Sequence, residues 1–139
     1  MNVVVDTSVW SLALRRRRTS LEPQASELAA LIREGRASII GPIRQELLSG
    51  MVSEQQFQSL REHLRPFRDI DLEVEDYEEA AAFFNRCRAK GIQGSNTDFL
   101  ICAVAARREL AILTTDEDFA HFARVLPIQL HPPRTPGRR

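Results

Sequence analysis

Cysteine is scarce in this chain: Cys87 and Cys102 are the only two among 139 residues, and neither stands in a CxxC or Cys/His cluster. That excludes a disulfide scaffold and gives no reason to expect structural zinc, so two buried free thiols are expected. Long apolar runs are also missing, the longest falling far short of the roughly 20 residues a membrane-spanning helix needs. The N-terminus lacks the basic-then-apolar order of a secretory signal, which makes a cytoplasmic location and no membrane role the expectation. Net charge is absent as well, with 19 Lys and Arg against 19 Asp and Glu. Nothing so balanced is a wholesale polyanion binder. With one Trp, one Tyr and seven Phe, mostly at helical core spacing, no aromatic platform for nucleobases declares itself.

What is present is ordinary globular material, 43% hydrophobic and 27% charged, enough for one domain with a real core. Val3-Val4-Val5 reads as a strand buried on both faces, spanning Asn2 to Asp6. Thr7-Ser8 can cap a helix through Val9, Trp10, Leu12 and Ala13. Pro23 opens a second helix that Gly35 stops. Ala37 to Ile40 is the next strand, Pro42 to Gly50 a short helix, and Ser53 the cap of a helix broken at Pro66. A brief strand is expected over Phe67 to Leu72. A long helix from Glu73 to Lys90 follows, with Tyr77, Ala80, Ala81, Phe84 and Cys87 as its apolar stripe. After the loop from Gly91, Ser95 and Asp98 have capping-box spacing at the head of a helix over Thr97 to Arg107. Leu110 to Leu113 is a core strand, Asp118-Phe119 starts a helical turn, and Val125 to Leu130 is a last edge strand. Helices between short strands predict an α/β fold, a central, mostly parallel sheet flanked by helices. The domain is expected to span 1–131, with 132–139 an unstructured Pro/Arg-rich tail.

Four acids sit where these elements meet: Asp6, Glu46, Asp98 and Asp116. Asp6 and Asp116 follow apolar strands, and ligands of open parallel sheets bind just beyond the carboxyl ends of strands. Glu46 and Asp98 lie on the two helices that begin at Pro42 and Thr97. Carboxylates brought together repel by roughly 4 kcal/mol at about 4 Å and an effective dielectric of 20. A divalent cation with a preference for oxygen compensates them. Each acid also has a plain structural role available, Asp98 as a helix cap, Asp116 as a turn residue and Glu46 on a wet helix face. Asp6 is harder to explain that way, because an acid directly after three valines is costly to bury without a partner.

Basic residues are nearly all Arg, 18 of 19. They cluster at Arg15-Arg16-Arg17-Arg18, at Arg61, Arg65 and Arg68, at Arg86, Arg88 and Lys90, at Arg107-Arg108 and in the tail. Arginine suits bidentate phosphate contacts. Codon bias and a solvated face account for the same pattern.

The segments Val3-Val4-Val5-Asp6-Thr7-Ser8, Pro42 through Glu46-Leu47, Thr97-Asp98-Phe99-Leu100-Ile101-Cys102-Ala103 and Leu113-Thr114-Thr115-Asp116-Glu117-Asp118-Phe119 occur in the order and spacing of the PIN-domain family. Within that family the chain resembles the VapC-type toxins of toxin-antitoxin pairs, over nearly its whole length. The resemblance implies a Mg²⁺-dependent endoribonuclease, with Mn²⁺ as the alternative ion. Asp6, Glu46, Asp98 and Asp116 would be its metal-binding, catalytic carboxylates. Thr7, Ser8 and Thr114 would orient them, and Asp118 would either support the metal through water or cap the Phe119 turn. It also implies an RNA substrate, a homodimer and a cognate VapB-like antitoxin, for which Trp10, Leu12 and Leu14 are candidate contacts if they are not core. A non-catalytic RNA- or protein-binding module with a vestigial acidic site is the rival reading. A phosphatase using an aspartyl-phosphate is disfavoured, because Ser8 stands where such enzymes commonly carry a second Asp.

Overall fold

A computed structural model describes residues 1–15 and 22–134 of the chain. Arg16, Arg17 and Arg18 of the predicted arginine run, and the last five tail residues, lie outside the described residues. Four strands, β1 (Val3–Val5), β2 (Ala37–Ser38), β3 (Ala111–Leu113) and β4 (Gln129–Leu130), form one sheet of order β2-β1-β3-β4 with every pairing parallel. β1 is central, and its three valines are fully buried, as a strand covered on both faces requires. Its register pairs Val5 with Leu113, so β1 and β3 end side by side.

The helices are α1 (Thr7–Arg15), α2 (Pro23–Arg33), α3 (Gly41–Ser49), α4 (Glu54–Leu64), α5 (Val74–Ala89), α6 (Asn96–Arg108) and α7 (Asp118–Ala123). None of those described is long and apolar enough to cross a membrane. Most start where the sequence signals say. Pro lies in the first turn of α2 and α3, and Ser53 and Ser95 close capping boxes on α4 and α6. α6 is the most buried helix, every residue from Phe99 to Ala105 lying inside the core. Its Phe99 stacks on Phe122 at 4.8 Å, and a Cβ on Gly94 would come within 2.6 Å of Phe122 and 2.9 Å of Phe99. Only glycine lets the loop pass that close before Ser95 begins α6.

Several expectations need correction. The cap of α1 is neither Thr7 nor Ser8: the residue before the helix is Asp6, whose carbonyl accepts from Val9 N at 3.0 Å. The strand expected over Phe67 to Leu72 reduces to one bridge between Ile39 and Asp69. Arg44 occupies the start of this segment: its guanidinium takes the Phe67 carbonyl at 2.5 Å and the Asp69 carboxylate at 2.9 Å, besides the Leu64 carbonyl at the end of α4 at 2.9 Å. The Phe67 carbonyl thus bonds to a side chain in place of a ladder. The predicted edge strand is confined to Gln129 and Leu130.

The buried face of α5 is Asp76, Ala80, Phe83 and Cys87, whereas the expected stripe leaves Tyr77 and Ala81 exposed and Phe84 half-buried. Ala80 and Cys87 stay on the buried face while Asp76 and Phe83 replace Tyr77 and Phe84, a rotation smaller than the 100° of one residue. Arg107 and Arg108 of α6 draw Asp76 inward, each at 2.7 Å. Where the domain meets the tail, two side chains are bonded to α2. Buried Glu27 of α2 receives His131 Nε2 at 2.6 Å and Arg134 Nε at 2.9 Å. Both cysteines are free and buried, as expected. Trp10 is core: its indole N–H donates to the Val5 carbonyl at 3.2 Å and its ring meets Phe67 edge-on at 5.1 Å, while Leu14 remains exposed.

Candidate metal centre at the carboxyl end of the sheet

Because β1 and β3 end in register, the residues that follow them, Asp6 and Thr114, face each other. Asp6 N donates to the Leu113 carbonyl at 2.9 Å, which continues the ladder one step past the strand. Thr114 Oγ1 and Ser8 Oγ both donate to Asp6 Oδ2, each at 2.8 Å. The same two hydroxyls accept backbone N–H groups, Ser8 from Thr115 at 3.2 Å and Thr114 from Asp116 at 2.9 Å. Each hydroxyl is thereby fixed as a donor toward Asp6 and an acceptor from the β3–α7 turn. Asp116 Oδ1 in turn accepts from Asp118 N at 2.9 Å and starts α7.

The helices bring the other two acids. Asp98 accepts from Ser95 N through Oδ2 at 3.0 Å, and its own N–H goes to Ser95 Oγ at 3.0 Å. Glu46 Oε1 accepts from Thr7 Oγ1 at 2.8 Å, which ties α3 to the first residue of α1. A cleft of about 500 Å³ between α3 and the start of α6 is lined by Pro42, Gln45, Glu46, Ser49, Gly50 and Thr97.

A pattern runs through the four. Asp6, Glu46, Asp98 and Asp116 each commit one carboxylate oxygen to a protein donor, and the other oxygen receives no side-chain hydrogen bond among the described residues. The ion pairs of the described residues also pass them by, all running through other carboxylates. Electrostatics registers the lack. Burial pushes the Asp6 carboxyl above its ordinary range; the hydroxyls of Thr114 and Ser8 and the Thr7 backbone oppose it, and Asp116 repels it further. Asp98 is raised by burial too, against its Ser95 bonds, with added repulsion from Asp6 and Asp116. Even the buried Cys102 thiol behind them is pushed up, by burial first and then by Asp98.

Asp6, Asp98 and Asp116 are thus close enough to repel one another, whereas Glu46 is tied to this end of the sheet through its bond to Thr7. The hydroxyls of Thr7, Ser8 and Thr114 contact them, whereas Asp118 takes part through its backbone. The expected cation cage is not closed: among the described residues no three His, Cys, Asp or Glu side chains are gathered tightly enough to hold an ion. The donor set itself suits a hard divalent cation, being all oxygen, anionic and without a cationic partner. Ser8 and Thr114, expected to orient the carboxylates, share Asp6 Oδ2 and both bond the β3–α7 turn, a pairing that depends on strand register.

Several known proteins are similar to this chain in sequence or in fold. "VapC ribonuclease Mb1587" of Mycobacterium bovis is 29% identical over 132 residues, covering 91% of this chain and 96% of that protein. "Ribonuclease VapC11" of Mycobacterium tuberculosis matches with the same identity and coverage. Among solved structures, a chain of DNA-bound VapBC from Salmonella typhimurium superposes with a TM-score of 0.75 at 16% identity, covering 94% of this chain and 97% of that one. A chain of VapBC2 from Rickettsia felis, bound to a promoter DNA fragment, gives 0.73 at 20% identity, with 94% and 98% covered. The PIN domain model matches residues 3–125, which takes in all four acids and every described strand but β4, and the chain belongs to the PIN domain family.

Proposed function

We propose that the chain is a metal-dependent endoribonuclease, the VapC-type toxin of a VapB–VapC toxin–antitoxin pair. One observation carries the catalytic part: Asp6 is a buried carboxylate, raised in pKa and repelled by Asp116, with hydroxyls but no cationic side chain beside it. Buried charge of that kind calls for a bound cation. The names of the sequence relatives support RNA as the substrate, and the VapBC titles of the structural neighbours support a VapB-like antitoxin as the partner. A homodimer belongs to the same reading.

The chain's own residues hold the reacting groups. Ser8 and Thr114 fix Asp6, Thr7 fixes Glu46, Ser95 fixes Asp98, and Asp116 is set by the turn it caps. Mg²⁺, or Mn²⁺ in its place, would supply positive charge for a phosphodiester oxygen and lower the pKa of the attacking water. No side chain here serves as nucleophile: the Ser8 and Thr114 hydroxyls are already spent on Asp6, and the Cys102 thiol is buried and held protonated. Water is the attacking group, and the carboxylates position it.

The test is cleavage of a panel of structured RNAs with Mg²⁺ and with EDTA. Wild type cuts only with Mg²⁺, and Asp6→Asn, which deletes one ligand charge and little volume, loses on the order of 10³-fold in rate with its fold intact. Undiminished cleavage by that variant would sink the proposal. The unclosed acid cluster is what keeps a non-catalytic binding module as second reading, and a wild type that binds RNA without cutting it in Mg²⁺ would select that one.

A further inference from the structure

The rotation of α5 leaves Tyr77 and Phe84 on the wall of a groove of about 420 Å³, together with Pro42, Ala81, Asn85 and Thr97. Pro42 and Thr97 also line the cleft that holds Glu46, so groove and cleft are continuous across a shared rim. We propose that this groove is a nucleobase subsite: it takes one unpaired base of a single-stranded RNA whose adjoining phosphodiester lies at the acidic cluster. The inference rests on the ribonuclease reading of that cluster and adds what the strand would be read by.

The lining fits a base better than an apolar peptide side chain. Tyr77 is 54% exposed and offers its ring to the groove, while Phe84 is half-buried, packed against Phe99 with the Arg88 guanidinium over its ring. Bases stack on such rings in a way that tolerates sequence, and single-stranded RNA is recognised largely through splayed, stacked bases. Asn85 and Asn96 place two amides at the same groove, each with donors and an acceptor for a base edge. Arg88 lies over the Phe84 ring at 5.6 Å and donates to Asn85 Oδ1 at 3.0 Å, which puts a guanidinium at the groove for the next phosphate. The volume falls in the ordinary range for small-ligand sites.

The probe is a set of short single-stranded RNAs, each carrying 2-aminopurine at one position, with Ca²⁺ in place of Mg²⁺ and the full chain as receptor. One position is expected to quench on binding. Tyr77→Ala loses that quench and binds about tenfold more weakly, as removal of one stacking partner does; Tyr77→Phe keeps both. In wild type, 4-thiouridine at the quenched position cross-links to Tyr77 or Phe84, a readout that needs no variant to fold. Unchanged quench and affinity in Tyr77→Ala, or cross-links confined to other elements, overturn the subsite. So does a Tyr77→Ala chain that turns from dimer to monomer at unchanged RNA affinity, since the groove would then seat a second copy. Cleavage in Mg²⁺ without any quench refutes the subsite alone, and quench without cleavage refutes the ribonuclease reading alone.

Discussion

Asp76 and Asp6 are both buried aspartates, 0% and 5% exposed, and their surroundings are opposite. Asp76 sits between Arg107 and Arg108 and closes the capping box of α5 by accepting from Glu73 N at 2.8 Å. Arg108 above all holds its carboxyl far below the usual range, in spite of burial. Glu27 is a second case: burial opposes its charge, but His131 and Arg134 outweigh that and its pKa falls. Asp6 has hydroxyls where these have guanidinium or imidazole groups, and its pKa rises. A buried acid with a cationic partner is a structural bolt. One that is hydrogen-bonded but not neutralised is a place left open for a cation from outside.

The largest effect that tests this contrast is on stability. Asp76→Ala strands two partly buried guanidinium groups and is expected to cost about 3 kcal/mol in urea unfolding, whereas Asp6→Asn in EDTA leaves stability unchanged or raised. Equal losses in the two variants would erase the distinction. Next in size is the response to pH. Asp76 and Glu27, lowered on folding, contribute stability that is present above their unfolded pKa and lost as pH falls through the folded one. Asp6 and Asp98, raised on folding, have the reverse sign: their penalty is absent below the unfolded pKa and grows as pH rises through the folded one. Mg²⁺ should relieve that penalty, so the Mg²⁺-induced rise in Tm is largest near neutral pH and fades in acid, and Asp6→Asn shows much less of it. A Tm that ignores Mg²⁺ at every pH would mean that the open charges need no cation. The smallest effect concerns Thr114→Val, which removes one hydroxyl from Asp6. Stability should change by about 1 kcal/mol, while the acid limb of the cleavage–pH profile moves to higher pH; a limb left in place would remove Thr114 from any part in setting the Asp6 charge.

Much of the fold was legible because its signals are local. Three valines, the prolines in the first turns of α2 and α3, Ser53 and Ser95 at their caps and Gly91 after α5 each act over a few residues, and each element appeared where they put it. What failed depended on a distant partner. Arg44 took the Phe67 carbonyl that a strand over Phe67 to Leu72 would have used, and Arg107 and Arg108 drew Asp76 onto the buried face of α5. In both a side-chain contact across the fold outweighed a local preference.

The chain order of the acids and their places at strand ends and helix starts were settled by the sequence alone, since both follow from where apolar runs stop. Whether those acids would meet a cation-bearing side chain or be left with charge to spare was decided only by the tertiary structure. Register set Asp6 against Thr114, and packing sent the arginines of α6 to Asp76. Hydrogen-bond geometry and burial are properties of neighbours in space, and no spacing along the chain encodes them.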